Sequence, residues 1–392
     1  MSYKSFVLAG LAAVALGLPT DTQGIVSGKF IVALEPTADV DVDLHARWVS
    51  DVHAQSLARR GGEFTGIDKM FNFPGFQGYS GSFDAETVEI IKANASVQLV
   101  EPEQIYTVAS PVTQQNPQWA LSALSNANPP STSAAYAYDS TAGEGTFVYV
   151  LDSGILTTHQ EFQGRAVFGQ DTSGVASEKR HGTHVAAIVN GVTYGVAKKA
   201  TVVDVQVLGD DYGSSTGVLS GVSWTVNDVV SKNRVGKAVI NMSLGGGNSG
   251  IFNNAVQSAI DAGIPVVVAA GNLNKDAATD SPANAPNAIT VAASNKNYQR
   301  WSQSNYGTIC DIFAPGEAIT SAYPPSTSST YTTSGTSQAA PHVAGVIAYL
   351  FALEGPRTPA QIWTRLQQLA IKDKITDTKG VPNLFLYNGS GK

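Results

Sequence analysis

A single cysteine, Cys310, stands in 392 residues. An intramolecular disulfide is therefore excluded, and zinc–thiolate sites and Cys-x-x-Cys redox pairs lack their ligands. Cys310, beside Asp311 in an apolar stretch, reads as a buried small hydrophobe. Charge is scarce as well: Asp, Glu, Lys and Arg make up 14% of the chain, against about 25% in ordinary globular proteins. The surface must then be largely neutral and polar. With 24 basic against 31 acidic residues, a net charge of −7 and no Lys/Arg block, the chain carries no electrostatic footprint for nucleic acid. No apolar run reaches the ~20 residues that a membrane-spanning helix needs. What is abundant is glycine, 38 residues, within a chain that is 43% hydrophobic. That combination predicts tight turns and close packing around a large core, in two or three domains.

The N-terminus has a short basic start, Met1-Ser-Tyr-Lys4, and an apolar and small-residue run over 6–18, with Ala13-Val-Ala15 or Ala15-Leu-Gly17 as small-residue cleavage sites. Residues 1–17 are read as a secretory signal peptide, which makes the product extracellular, with no membrane attachment in the mature form. A buried N-terminal helix is the alternative. Asn94-Ala-Ser96 and Asn388-Gly-Ser390 are glycosylation sequons open to a secreted chain, whereas Asn241-Met-Ser243 lies in an apolar strand pattern and reads as inaccessible.

From 25 to 107 the pattern is that of a compact α+β unit. Strand 29–35, helix 41–60, a hairpin about Pro74-Gly75, helix 85–94 and strand 97–108 follow in the order β-α-β-β-α-β, a split βαβ (ferredoxin-like) arrangement. Residues 109–117 lack apolar periodicity and read as a linker. The rest alternates β-branched runs at 147–151, 201–208, 238–244, 264–270 and 288–293 with helical patterns at 181–190, 216–232 and 253–262. Fully apolar strands alternating with helices predict an α/β fold, a mostly parallel sheet covered on both faces. Ligands of such sheets bind beyond the carboxyl ends of the strands.

Polar residues at those ends carry the chemistry. Asp152 directly follows the buried run Phe147-Val-Tyr-Val-Leu151 and precedes Ser153-Gly154; taken alone it could serve only as a strand-end turn residue. His181-Gly-Thr-His184 opens a helix, but no Glu stands in an HExxH place and no third ligand is suggested, so zinc is not indicated. In Gly335-Thr-Ser-Gln-Ala-Ala-Pro-His-Val-Ala-Gly345, Ser337 sits where a helix begins, with Pro341 read into its first turn. A serine there can be a simple N-cap. The same place also offers unpaired N–H groups and the positive dipole end to an oxyanion beside a nucleophilic hydroxyl.

In chain order, Val150-Leu-Asp-Ser-Gly-Ile155, His181-Gly-Thr-His-Val-Ala186, Ser243-Leu-Gly-Gly246, Ala269-Ala-Gly-Asn272 and Gly335-Thr-Ser337 with its tail resemble the signature segments of subtilisin-like serine proteases, the fungal proteinase K-like group in particular. The resemblance covers 119–389, and the preceding α+β unit resembles the inhibitory propeptide of that family. It implies a three-layer catalytic domain over 112–392 and a propeptide over 18–111. It also implies a serine endopeptidase in which Ser337 attacks the scissile carbonyl, His181 relays the proton and Asp152 orients the imidazolium. Asn272 is expected to donate to the oxyanion together with the Ser337 N–H, while His184 is not the base. Ser243, Leu244, Gly245 and Gly246 on one side, and the loop around Gly213 on the other, are expected to clamp a peptide by strand addition.

Ala269, Gly271 and the facing Ser281-Pro-Ala283 are expected to line a P1 pocket without a carboxylate, hence one that prefers apolar or aromatic side chains. No catalytic cofactor is implied. Family likeness points to a structural calcium held by the carbonyls of Pro286 and Ala288 and by Asp311, oxygen ligands that suit a hard cation. Expected partners are protein or peptide substrates and the chain's own propeptide as intramolecular inhibitor, the enzyme acting as a monomer. Two departures from the family pattern, Ala187 for Gly and Gln338 for Met, are expected to affect helix packing and the rim of the site. A rival enzyme reading rests on Gly213-Ser-Ser-Thr-Gly217, which satisfies G-x-S-x-G with Asp311 and His342 following. However, Gly209-Asp-Asp-Tyr212 separates it from its strand, and a nucleophile elbow turns straight from strand to helix. A binding protein that keeps the fold without activity would have lost Asp, His, Ser or Asn at the motif positions; all are present.

Overall fold

The computed structural model describes residues 25–36, 41–60, 64–104, 111–127 and 134–391. The signal segment, 1–17, lies outside them. Two compact units divide the chain, Met1–Val108 and Ala109–Lys392.

In the first unit β1 (Ile25–Leu34), α1 (Val42–Arg60), β2 (Gly66–Phe73), β3 (Phe76–Ser82), α2 (Ala85–Lys92) and β4 (Val97–Gln104) build an antiparallel sheet of order β2-β3-β1-β4. Asp84 caps α2, its carboxylate accepting from the Glu86 and Thr87 N–H groups at 3.0 Å each. One sheet face and the two helices bury Val32, Leu34, Val49, Tyr79, Val88 and Ile91 in a single small core. The β-α-β-β-α-β order expected from the sequence is the one observed.

The second unit opens with β5 (Pro111–Gln114), α3 (Trp119–Ser125) and β6 (Tyr136–Asp139). Here the expected linker is corrected: 111–114 form an edge strand, paired antiparallel with β6 from Pro111↔Asp139 to Gln114↔Tyr136. The pairing is backbone to backbone and needs no apolar alternation, so periodicity could not reveal it. The boundary at 111/112 accordingly falls inside β5. Trp119 is held by an indole N–H donated to the Glu317 carbonyl at 3.2 Å.

There follow β7 (Phe147–Asp152), β8 (Ala166–Asp171), α4 (Arg180–Asn190), β9 (Thr201–Gln206), α5 (Ser215–Ser231), β10 (Ala238–Met242), β11 (Gly246–Gly247), α6 (Gly250–Asp261), β12 (Val266–Ala269), β13 (Asp280–Ser281) and β14 (Ile289–Ser294). The chain continues through β15 (Ile312–Pro315), β16 (Ile319–Ala322), β17 (Thr330–Thr333), α7 (Thr336–Glu354), α8 (Pro359–Leu369), β18 (Ile371–Lys372) and β19 (Leu384–Phe385). The main sheet runs β18-β19-β15-β14-β12-β10-β7-β9-β8, parallel throughout except at β18. Alternation along β7 sends Val148 and Val150 to the face covered by α4 and α7, and Tyr149 and Leu151 to the face covered by α5 and α6. Each face has its own large apolar core, which is why the strands read as continuous hydrophobic runs. The strand order reverses about β7, with β9 on one side and β10 on the other, and a crevice opens at such a switch point beyond the carboxyl ends of the strands.

Candidate active site

The carboxyl ends of β7, β9, β10 and β12 and the first turn of α7 meet at that crevice. Asp152, the last residue of β7, is fully buried, and its Oδ1 and Oδ2 lie 2.8 and 3.0 Å from Nδ1 of His181 in the first turn of α4. The close approach of α4 depends on Gly182: a Cβ there would come 2.3 Å from the Gly154 carbonyl. Burial pulls the His181 pKa down, but the charge and hydrogen bond of Asp152 outweigh it and the net shift is upward. His184 is buried against the Tyr331 carbonyl at 3.0 Å, and burial lowers it to about 4; it stands behind the site.

Ser337 is half-buried at the start of α7, its hydroxyl donating to the Ser243 carbonyl at 3.3 Å. Among the described residues no hydrogen bond joins it to His181, a separation common where no substrate draws the pair together. Pro341 lies in the second turn rather than the first, and its position matters. Lacking an N–H, it leaves the Ser337 carbonyl without its i+4 donor, and that carbonyl accepts instead from the Ser243 hydroxyl at 2.9 Å. The start of α7 is thereby tied to the end of β10. The Ser337 N–H has no acceptor among the described residues, whereas those of Thr336, Gln338 and Ala339 each have one.

Asn272 lines the same pocket as Ser337. Its Oδ1 accepts from the Thr336 N–H at 2.8 Å and the Thr336 hydroxyl at 2.9 Å, which orients the amide and turns its NH₂ away from these donors. Thr336 in turn accepts from the Gly271 N–H at 3.0 Å. A Cβ at Gly335 would come 2.8 Å from Gln338 Oε1 and into ordinary contact, 3.4 Å, with the Asn272 amide nitrogen. Thr336 was given no role in the sequence, where its only signal was its place inside the Gly-Thr-Ser motif; the structure buries it fully.

The cleft runs between the loop around Gly213 and Ser243–Gly246. Gly245 and Gly246 present open space, as an approaching backbone requires, but Gly246 is also paired with Ser281 through β11 and β13. Gly213 is explained differently than expected: a Cβ there would strike Leu208 at 2.4 Å and the Val207 carbonyl at 2.7 Å, so packing within the loop demands the glycine. A pocket beside Ser337 is walled by Ala269, Gly271 and Ser281 as expected. It is also lined by Asp280, one residue before the predicted wall, whose carboxylate is paired with Lys275 at 2.8 Å. The expectation of a pocket without a carboxylate is therefore corrected.

Other expectations are redistributed. Gln338 is buried with its amide 3.5 Å from His184 Nδ1 and does not reach the rim, while Ala187, on α4, is packed into the core. Asn388 is 1% exposed and donates its NH₂ to the Ala137 carbonyl at 2.8 Å, so its sequon offers no free amide in the folded chain; Asn94 is half-buried in the turn after α2. His342 of the rival constellation is wholly buried on the Gln338 carbonyl, and Asp311 directly precedes β15, whereas Ser215 opens α5 after β9, five strands away in the sheet; the three do not meet.

Asp204 escaped notice in the sequence. It lies in β9 opposite Val150, on the same sheet face as Asp152, fully buried, with neither carboxylate oxygen completing a hydrogen bond. Burial, above all, pushes it up to about 7; the Ile155 backbone and Lys179 oppose this, and Asp152 and Asp171 add to it. An acid raised in the folded state costs stability as pH climbs from its unfolded value, about 4, through the folded one. Asp204→Asn, which cannot ionise, is therefore expected to raise the thermal midpoint more at pH 8 than at pH 5. The same gain at both values would contradict the assignment.

A model of the subtilase family of peptidases matches residues 143–391, and one of the peptidase inhibitor I9 family matches 29–109. Alkaline protease 1 of Emericella nidulans is 45% identical over 99% of this chain and 98% of its own length. The alkaline proteinase of Hapsidospora chrysogena is 46% identical over 98% of both. A solved cold-adapted subtilisin-like serine proteinase shares the fold with a TM-score of 0.65 and 40% identity, over 70% of this chain and 98% of the solved one. A crevice at the switch point of a parallel sheet, with an Asp–His pair and a serine on a helix start, thus lies in a chain with an I9 propeptide domain, and the chain belongs to the subtilase family of serine endopeptidases.

Proposed function

We propose that the protein is a secreted endopeptidase of broad specificity acting through Asp152, His181 and Ser337. The Asp152–His181 geometry, with a serine across the crevice beside a free N–H, carries this reading. When a peptide lies along Ser243–Gly245, the Ser337 hydroxyl leaves the Ser243 carbonyl and passes its proton to His181 Nε2 as its oxygen bonds the scissile carbon. Asp152 holds the imidazole by Nδ1–H and stabilises the imidazolium. The oxyanion is met by the Ser337 N–H and the Asn272 NH₂, the latter already aimed by Thr336. The tetrahedral centre then breaks its C–N bond, His181 gives its proton to the leaving amine, and water resolves the acyl-enzyme by the reverse proton path. Because the base must be neutral, activity rises with pH through the elevated His181 pKa. Apolar or aromatic P1 side chains are favoured because Lys275 already neutralises Asp280.

Calcium is proposed as a structural ion only. The carbonyls of Pro286 and Ala288 and the Asp311 carboxylate would supply oxygen donors of the kind a hard cation takes; one Asp311 oxygen already accepts from the Thr290 N–H at 2.7 Å.

The I9-like unit is proposed to inhibit the enzyme until self-cleavage between about 106 and 116; of that window 111–114 form β5 and 106–110 lie outside the described residues. A Ser337→Ala chain made in a host without related proteases should remain uncut, and separately made 18–108 should inhibit the mature enzyme. Normal maturation of that variant would assign processing to another protease, and failure to inhibit would remove the propeptide's role.

A further inference from the structure

Asp280 and Lys275 form an ion pair on the wall of the pocket beside Ser337, and the catalytic steps above do not use it. Both partners are fixed from one point. Asn305, wholly buried, accepts from the Leu273 and Lys275 N–H groups at 2.9 and 3.1 Å through its Oδ1. Its Nδ2 donates to the Ala270 carbonyl at 2.9 Å and to Asp280 Oδ2 at 3.3 Å. Asp280 is held from the other side by β13, where it pairs with Gly247 of the substrate-facing segment. The carboxylate is thus oriented by the scaffold, with one oxygen on Asn305 and the other on the Lys275 ammonium. Its side chain is 18% exposed and that of Lys275 is 41% exposed, so the lysine is the more solvent-exposed member of the pair.

We propose that Lys275 is the charge filter of the P1 pocket: it occupies the carboxylate that would otherwise receive a lysine or arginine side chain, and so bars basic residues at P1. The proposal rests on the reading of Ser337 as nucleophile and of this pocket as the P1 site. The physics is that of a partly desolvated pocket, where a fixed carboxylate attracts a cationic side chain and a fixed ammonium repels it. With both present the pocket is neutral. Remove the lysine and the carboxylate, still held by Asn305, faces an incoming ammonium or guanidinium. Remove the carboxylate's charge instead and an unpaired ammonium remains, which favours acidic P1 side chains and disfavours basic ones further.

The test uses matched peptide substrates that differ only in Phe, Arg, Lys or Glu at P1. Mature wild type, Lys275→Met, Asp280→Asn and the double variant are compared, each normalised to active sites counted by a fluorophosphonate probe. Lys275→Met is expected to raise the Arg-to-Phe and Lys-to-Phe ratios of kcat/KM by about tenfold or more at low salt, and less at high salt. Asp280→Asn should lower the same ratios and raise Glu-to-Phe, and the double variant should lose the gain of Lys275→Met. Unchanged ratios in Lys275→Met, in an enzyme that cleaves the Phe substrate, would overturn the proposal alone. Absence of cleavage by the wild type, or a label elsewhere than on Ser337, would overturn the underlying reading and the proposal with it.

Discussion

Ser337→Ala is expected to lower kcat for peptide hydrolysis by about 10⁶-fold, the scale measured for loss of the nucleophile in subtilisin, a member of this family. His181→Ala should fall as far, and Asp152→Ala somewhat less. The reason lies in the coupling of the three groups. Without Ser337 the imidazole has no proton to accept, and without His181 the hydroxyl keeps its resting hydrogen bond to the Ser243 carbonyl. Once Asp152 is gone, Nδ1 loses the two oxygens at 2.8 and 3.0 Å that fix its tautomer. A double variant should thus be hardly worse than the worse of its singles. Steady-state kinetics on protein purified free of host protease checks this; effects that add in free energy would mean that the three do not act as one unit.

Asn272→Ala is expected to lower kcat by about 10²–10³-fold with little change in KM, as removal of the matching donor does in subtilisin. The amide is held before substrate arrives, because Thr336 gives its Oδ1 two hydrogen bonds, which leaves the NH₂ directed elsewhere and available to the proposed oxyanion. That charge exists only in the transition state, so ground-state binding should hardly notice the loss. A large rise in KM at constant kcat would make Asn272 a substrate-binding residue instead.

Elements with a strong period were legible in the sequence, as were the motifs that hold the proposed triad. The buried parallel strands read as β-branched runs because both faces are covered, and Asp152, His181, Asn272 and Ser337 lay in motifs whose order alone is informative. Features made by backbone pairing or by the meeting of distant loops were not legible. β5 carries no apolar alternation, since its strand character comes wholly from β6. The Lys275–Asp280–Asn305 cluster joins two positions of an aperiodic loop to a residue 25 further on, and nothing local marks it. Gly213 looked like a backbone-approach glycine, but the side chain of Leu208 fills that space. Asp204 was hidden inside an apolar run whose alternation sends it to the face of Asp152. Fold-level register, not composition, decides such cases.

The most direct test of the catalytic assignment is covalent labelling. Mature enzyme treated with a fluorophosphonate should carry one label per chain, on the peptide that contains Ser337, and His181→Ala should abolish labelling because the hydroxyl is then not activated. Label on Ser215, or no label on enzyme that hydrolyses peptides, would contradict the account.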